Sequence, residues 1–130
     1  MGKVVEIANE IAASLAGWDA EVQFVPEFRI RDAVKAKIIV VPAGTAFRAL
    51  SRGVHEETPC IHLGFLKKAT EDELPGLLDS VQELGKSFLH RRMAGAACTG
   101  VEFDPLYSPS HLREKGLFVS VIELTFRTAG

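Results

Sequence analysis

Residues 117–127, near the end of the chain, constrain the fold more than any other segment. One face carries the apolar residues Phe118, Ile122, Leu124 and Phe126. The opposite face changes along the segment, from Leu117, Val119 and Val121 to Glu123, Thr125 and Arg127. Successive side chains of a strand point to opposite faces, so the first half of this segment must be covered on both sides. The segment therefore predicts a central strand that emerges towards solvent as it ends.

Residues 37–41 form a second strand candidate that is apolar on both faces. The run from Ile38 to Val41 is β-branched and too short for a typical helix. Such a run is typical of a strand inside a sheet, and we expect it to end before Pro42. Residues 45–52 are a weaker strand candidate, and residues 59–68 are a better one. Within residues 59–68, the apolar residues Ile61, Leu63 and Phe65 alternate with Cys60, His62 and Gly64, as on the two faces of a strand.

The segment 21–31 also alternates with a period of two. Its apolar set is Val22, Phe24, Phe28 and Ile30, and its polar set includes Gln23, Glu27, Arg29 and Arg31. Pro26 cannot donate a ladder hydrogen bond, so it must lie at an edge, at a bulge or at a break between two short strands. We expect a half-exposed strand here, with an edge that a partner could use.

Two segments have the spacing of amphipathic helices. The first has apolar residues at Val4, Ile7, Ala8, Ile11, Ala12 and Leu15, and Gly17 can end it. The second begins near Thr70, because Thr70 and Glu73 have the spacing of a capping box. Its apolar stripe is Leu74, Leu77, Leu78, Val81, Leu84, Phe88 and Leu89. Pro75 would kink this helix unless it lies in the first turn.

The order of these elements predicts the fold class. We expect residues 94–100 to be a loop, 101–103 to be a short strand, and 105–116 to be an irregular excursion with one helical turn at 111–114. Strands and helices do not alternate regularly, so a parallel α/β fold is not indicated. The prediction is an α+β domain with a mostly antiparallel sheet of four to six strands and two main helices packed on one face.

Composition and charge narrow the classes of function. The chain has 130 residues, which suits a single domain over residues 1–130. It has 15 Lys and Arg residues and 17 Asp and Glu residues. Proteins that bind nucleic acid usually carry an excess of basic residues, so nucleic acid is disfavoured as the main ligand. The two cysteines show no disulfide or zinc pattern, which favours a reducing cytoplasm. No apolar run approaches the ~20 residues of a membrane span, so we expect no membrane association.

No motif in the sequence completes a catalytic or cofactor site. Gly95 and Gly100 have the spacing of a phosphate-binding loop, but Val101 occupies the position of its lysine. Cys60 and His62 would point to the same side of a strand, yet two ligands do not complete a zinc site. A buried thiol beside a strand histidine is the simpler interpretation.

The remaining histidines and the second cysteine do not change this conclusion. His90, Cys98 and His111 could join Cys60 only through tertiary folding. His55 precedes two glutamates and could form an acid–base pair, but adjacent charged residues are more typical of a solvated turn. We therefore expect no enzyme activity, no cofactor and no bound metal.

Four arginines are candidate contact residues. Arg29, Arg31, Arg48 and Arg52 lie on the polar rows of neighbouring strand candidates. If those strands pair, the arginines form one basic band that could contact an acidic protein surface or passing DNA. Ordinary solvated strand faces are the alternative explanation.

The order of several segments resembles a known family. The chain contains the strand "IIVVPAG", the arginines of "FRALSR", the strand "CIHLGFLKK", the capped helix "TEDELPGLLDSVQELGKSFL" and the strand "GLFVSVIELTFRT". Together with the helix and strand that open the chain, these are similar to the tail terminator (tail completion) proteins of tailed bacteriophages. The resemblance spans nearly the whole chain and rests on length, element order and hydrophobic pattern.

The resemblance implies a structural role without a cofactor. It implies a ring of subunits, usually six, that caps a completed tail tube, stops its growth and joins the head connector. The protein would then act in the host cytoplasm during assembly and in the virion tail. Its partners would be copies of itself, the tail tube protein and the head connector protein, with passing DNA as a non-specific contact. No single residue is assigned a role by the family.

Two alternatives and an assembly hypothesis accompany this interpretation. Another neck or head–tail connector protein would have similar size and composition, and a small metal-binding protein or enzyme would need a third ligand beside Cys60 and His62. We expect a monomer or weak oligomer alone that closes into a ring at the tail end. Head-to-tail closure needs two different patches. Our candidates are the strand near Pro26, with Arg29 and Arg31, and the excursion 105–116.

Overall fold

A computed structural model describes residues 3–15, 17–24 and 35–129. This part of the chain is an α+β domain, as the sequence predicts. Its helices are α1 (Lys3–Ser14), α2 (Leu74–Lys86) and α3 (Pro109–Lys115). Its strands are β1 (Asp19–Val22), β2 (Lys37–Ser51), β3 (Val54–Lys68), β4 (Arg92–Met93), β5 (Ala96–Phe103) and β6 (Leu117–Ala129).

The strands form one mixed, mostly antiparallel sheet in the order β1-β2-β3-β6-β5-β4. β6 lies between β3 and β5 and is antiparallel to both. The prediction of a central strand over residues 117–127 is therefore confirmed. β1 pairs with β2 in parallel, so the strands do not follow one another as a simple meander.

The main core lies on the face of the sheet that carries the fully buried residues of β6. That face holds Phe118, Ile122, Leu124 and Phe126, joined by Ile61, Leu63 and Phe65 of β3. α1 contributes Ile7, Ala8 and Ile11 to the same cluster, and α2 contributes Val81. The predicted first helix is confirmed with its apolar stripe inward. That both main helices cover a single face stays a prediction.

β2 continues through Pro42, so the prediction that the strand ends there is wrong. The Val40 carbonyl accepts a hydrogen bond from the Gln23 N–H at 2.9 Å, so the backbone groups of Val40 face β1. Backbone N–H and C=O groups two residues apart in a strand point to the same side. The backbone groups of Pro42 therefore also face away from β3. Its missing N–H therefore removes no bond from the β2–β3 ladder. The weaker candidate, residues 45–52, is the outer part of this same strand.

Residues 94–100, which the sequence favours as a loop, belong largely to β5. Ala96 and Cys98 are buried in the main core, and Cys98 pairs in register with Phe126. Small residues suit this position because a bulky aromatic side chain occupies the neighbouring strand. Gly100 lies within the strand, which removes the phosphate-binding-loop interpretation.

The capping box at the second helix is confirmed. The Glu73 carboxylate accepts a hydrogen bond from the Thr70 N–H at 3.2 Å and also binds Lys67. A 3₁₀ turn at Glu71–Glu73 precedes α2, so Pro75 falls in the first turn and causes no kink. α2 ends at Lys86, earlier than its apolar stripe suggests. Phe88 is buried beyond its end, whereas Leu89 is exposed.

Two further predictions concern less regular segments. The strand predicted over 21–31 is described only at its start, where β1 ends at Val22. Residues 25–34, with Pro26, Arg29 and Arg31, lie outside the described residues. The excursion 105–116 contains α3, which is longer than the single turn expected. The Ser108 N–H donates to the Val119 carbonyl at 3.2 Å, so this segment is bonded along β6.

The burial of the two main helices yields a stability prediction. Replacing Ile11 by Ala is expected to lower the free energy of unfolding by about 2–5 kcal/mol, because the side chain is fully buried and its deletion leaves a cavity. Leu78→Ala is expected to cost less, since Leu78 is only half-buried. Urea denaturation followed by circular dichroism measures both. An unchanged midpoint for Ile11→Ala would contradict the packing of α1.

Two glycines of α2 yield a second prediction with an internal control. A Cβ atom on Gly85 would lie 2.6 Å from Cζ of Phe103, so Gly85→Ala is expected to destabilise the fold by about 1–3 kcal/mol. Gly76 has no atom within 4 Å of such a Cβ, so Gly76→Ala should stabilise the helix by up to about 1 kcal/mol. Thermal unfolding compares the pair. Two changes of the same sign would show that α2 does not approach β5 through Gly85.

Candidate functional site

The outer part of the β2–β3 hairpin extends beyond its neighbouring strands. We call residues 46–57 the arm. β1 pairs with β2 only as far as Val40, and β6 pairs with β3 only as far as Glu56, at the base of the arm. The chain turns at Gly53, whose φ of 78° is readily adopted by glycine. The outer arm therefore has side chains exposed on both faces.

Large apolar side chains are exposed along the arm. Phe47 is 65% exposed, Leu50 is 49% exposed and Val54 is 40% exposed. The ring of Phe47 lies against that of His55, with 5.8 Å between centroids. Single exposed apolar residues are common, but three within one short hairpin make the arm a candidate contact surface.

The charges of the arm separate into a basic outer part and an acidic base. Residues 46–55 contain Arg48 and Arg52 and no acidic residue. At the base, Glu56 accepts hydrogen bonds from Nη2 and Nε of Arg127 at 2.9 and 3.0 Å. Glu57 accepts one from Oγ1 of Thr45 at 2.9 Å. The acidic groups of the base are thus engaged, and the outer part carries positive charge.

The structure describes two of the four candidate arginines, Arg48 and Arg52. Arg48 lies in β2, paired in register with Glu56, and Arg52 lies in the turn of the arm. The carboxylate of Glu56 therefore lies beside Arg48, whereas the predicted band contains only arginines. Arg29 and Arg31 lie outside the described residues, so a band that joins all four stays a prediction.

A small apolar pocket lies on the sheet face opposite the main core, which we call the outer face. Its volume is about 220 Å³. It is lined by Ile39, Val41, His62, Gly64, Leu66, Val119 and Val121. Gly64 pairs with Ile39 on one side and with Val121 on the other. Because Gly64 has no side chain, a gap opens between these branched neighbours, and this gap is the pocket.

Carboxylates border this pocket at one end. Glu123 pairs in register with His62 and with Glu102, which places two acidic residues on adjacent strands. Oε1 of Glu123 lies 3.8 Å from Nε2 of His62. Like charges directly opposite in a sheet repel each other. The outer face therefore combines an apolar pocket with an end that favours a cation.

Cys60 and His62 lie on the outer face together, as their spacing predicts. Cys98 points into the main core on the other side of the sheet. His111 lies in α3, where Nδ1 is 2.7 Å from Oγ of Ser108. Within residues 3–15, 17–24 and 35–129, no three or more His, Cys, Asp or Glu side chains are grouped to hold a metal ion.

The chemistry of the two thiols follows from burial and charge. Burial raises the pKa of Cys60, and the negative charges of Glu123 and Glu102 raise it further. Burial also raises the pKa of Cys98. A thiol with a raised pKa is a weak nucleophile near neutral pH. Neither cysteine has the environment of a reactive nucleophile.

The sequence offered partial signals for these surfaces. The alternation around Gly64 places a glycine on the outer face among branched residues, which is a detectable sign of a gap. The arm is not evident from the sequence, because Pro42 suggests a break between two short strands, residues 37–41 and 45–52. The acidic end could not be found from local sequence, since Glu102 and Glu123 meet only through the pairing of β5 with β6.

Comparisons with known proteins give no family assignment. No protein-family model matches the chain, and no curated protein matches it. Among the helices of the described residues, none is long and apolar enough to cross a membrane.

The position of Cys60 beside two carboxylates is testable by alkylation. Glu123→Gln removes a negative charge, so the pKa of Cys60 should fall and its rate of alkylation by iodoacetamide at pH 8 should rise. Mass spectrometry separates Cys60 from Cys98. Asp79→Asn, a change on the exposed side of α2, serves as the control and should leave the rate unchanged. An unaltered rate in Glu123→Gln would show that the carboxylate does not act on this thiol.

Proposed function

We propose that this protein is a non-catalytic structural subunit that forms a ring on the end of a phage tail tube. In this role it terminates tail growth and offers a joining surface to the head connector. The observation that carries the proposal is the arm, which presents Phe47, Leu50 and Val54 to solvent. An exposed apolar hairpin of this kind is stabilised when another protein surface covers it.

The separation of the arm from the pocket supports a ring. The two surfaces differ in shape and in charge, because the outer part of the arm, residues 46–55, projects and is basic while the outer face has a pocket with acidic neighbours. Contacts between unlike patches that run head-to-tail generate a closed ring when the rotation between subunits closes. This agrees with the resemblance in element order to tail terminator proteins.

The proposal is tested by assembly measurements. We expect weak self-association that increases with protein concentration in sedimentation velocity experiments, and rings of about six subunits at the ends of tail tubes in electron micrographs. Tubes grown with the protein present should stop at defined lengths. A protein that sediments as a monomer at every concentration up to ~1 mM and leaves tube growth unchanged would refute the proposal.

A metal-dependent role is tested in the same assay. Addition of EDTA should leave sedimentation and tube capping unchanged, because the proposed contacts are apolar and ionic. Elemental analysis of the purified protein provides a second measurement. Stoichiometric zinc, together with loss of assembly in EDTA, would favour the metal-binding alternative.

A further inference from the structure

We propose that the arm of one copy binds to the outer face of the next copy, with Phe47 over the apolar pocket and the basic outer part of the arm near Glu102 and Glu123. This inference rests on the proposed self-assembly and names its two contacting surfaces. The occupant of the pocket is thus a second copy of this chain.

The arm cannot reach the pocket of its own subunit. Ile39 and Val41 of the pocket and Phe47 of the arm belong to the same strand, β2. An extended strand rises about 3.3 Å per residue, so the six residues from Val41 to Phe47 separate these positions by about 20 Å. Both strands of the hairpin lead away from the pocket, and only another molecule can bring an arm to it.

The sizes of the two surfaces agree. The pocket has a volume of about 220 Å³. An apolar cavity of ~150 Å³ accepts a benzene molecule, so this pocket can accept one aromatic ring. Phe47 is the largest exposed apolar side chain of the arm. An aromatic anchor seated in an apolar pocket is the usual source of most of the binding energy of an interface.

The charges of the two surfaces are opposite. The arm between residues 46 and 55 carries Arg48 and Arg52 without an acidic residue. At the end of the pocket stand Glu102 and Glu123, and among the described residues Glu102 makes no salt bridge. Charge complementarity directs one surface to the other and disfavours arm-to-arm contacts, which would place arginines together. The association should accordingly weaken as salt concentration rises.

Charge reversal on each surface provides the test. Arg48→Glu/Arg52→Glu makes the arm acidic, and Glu102→Lys/Glu123→Lys makes the outer face basic. Each double variant alone should associate on the order of tenfold more weakly than the wild type in sedimentation experiments, because like charges then meet. An equimolar mixture of the two should associate again, since each arm then finds an oppositely charged outer face.

Matched variants test the pocket. Gly64→Val should fill the gap, because a Cβ atom at Gly64 would meet only Ile39, at 3.9 Å. This change and Phe47→Ser should both weaken association on the order of tenfold while thermal unfolding shows an intact fold. Leu89→Ser, at an exposed residue outside both surfaces, is the control for Phe47. Asp79→Lys/Glu83→Lys, on the exposed side of α2, is the control for the acidic pair.

The outcomes separate this inference from the proposed function. Recovery of association in the mixture, with no effect of the controls, supports contact between the arm and the outer face. Wild-type association that persists in either charge-reversed variant, or a mixture that fails to recover, overturns it while self-assembly itself stands. A wild-type protein that never associates and does not cap tubes refutes the proposed function and this inference together.

Discussion

The pairing of β6 on both edges is the constraint on which the rest of the structure depends. β6 joins the β2–β3 hairpin to β5, so the chain cannot complete its sheet until its last segment is in place. Its inner face supplies four fully buried apolar residues to the main core. A strand with two paired edges and an apolar inner face satisfies both backbone hydrogen bonding and burial. α1 adds Ile7, Ala8 and Ile11 to the core that these residues form.

Glycine creates space at two places in this arrangement, with opposite consequences. At Gly85, the space is filled by Phe103, so α2 and β5 approach closely and the core is dense. At Gly64, the space stays open between the branched side chains of β2 and β6. The first gap contributes to the stability of the subunit. The second leaves apolar surface that a partner can cover, and this difference separates the core from the proposed interface.

The surfaces suited to contact are unlike each other. The outer part of the arm, residues 46–55, projects from the sheet and is apolar and basic, whereas the outer face has a pocket bordered by carboxylates. Unlike patches can join neighbouring copies head-to-tail, with the arm of one copy on the outer face of the next. This asymmetry is the physical basis of the ring that we propose.

Local pattern in the sequence determined the α+β class, the central strand over residues 117–127, the inward face of α1 and the capped start of α2. Each depends on periodicity or on side chains a few residues apart, which local chemistry sets. Tertiary structure alone decided the course of β2 through Pro42, because a proline is tolerated only where its backbone faces away from the paired strand. It also decided that residues 96–100 extend the strand predicted over 101–103, since the small side chains there are explained by Phe126 on β6. The meeting of Glu102 with Glu123 beside the pocket likewise arises only from strand register, which joins residues 21 positions apart and leaves no local trace in the sequence.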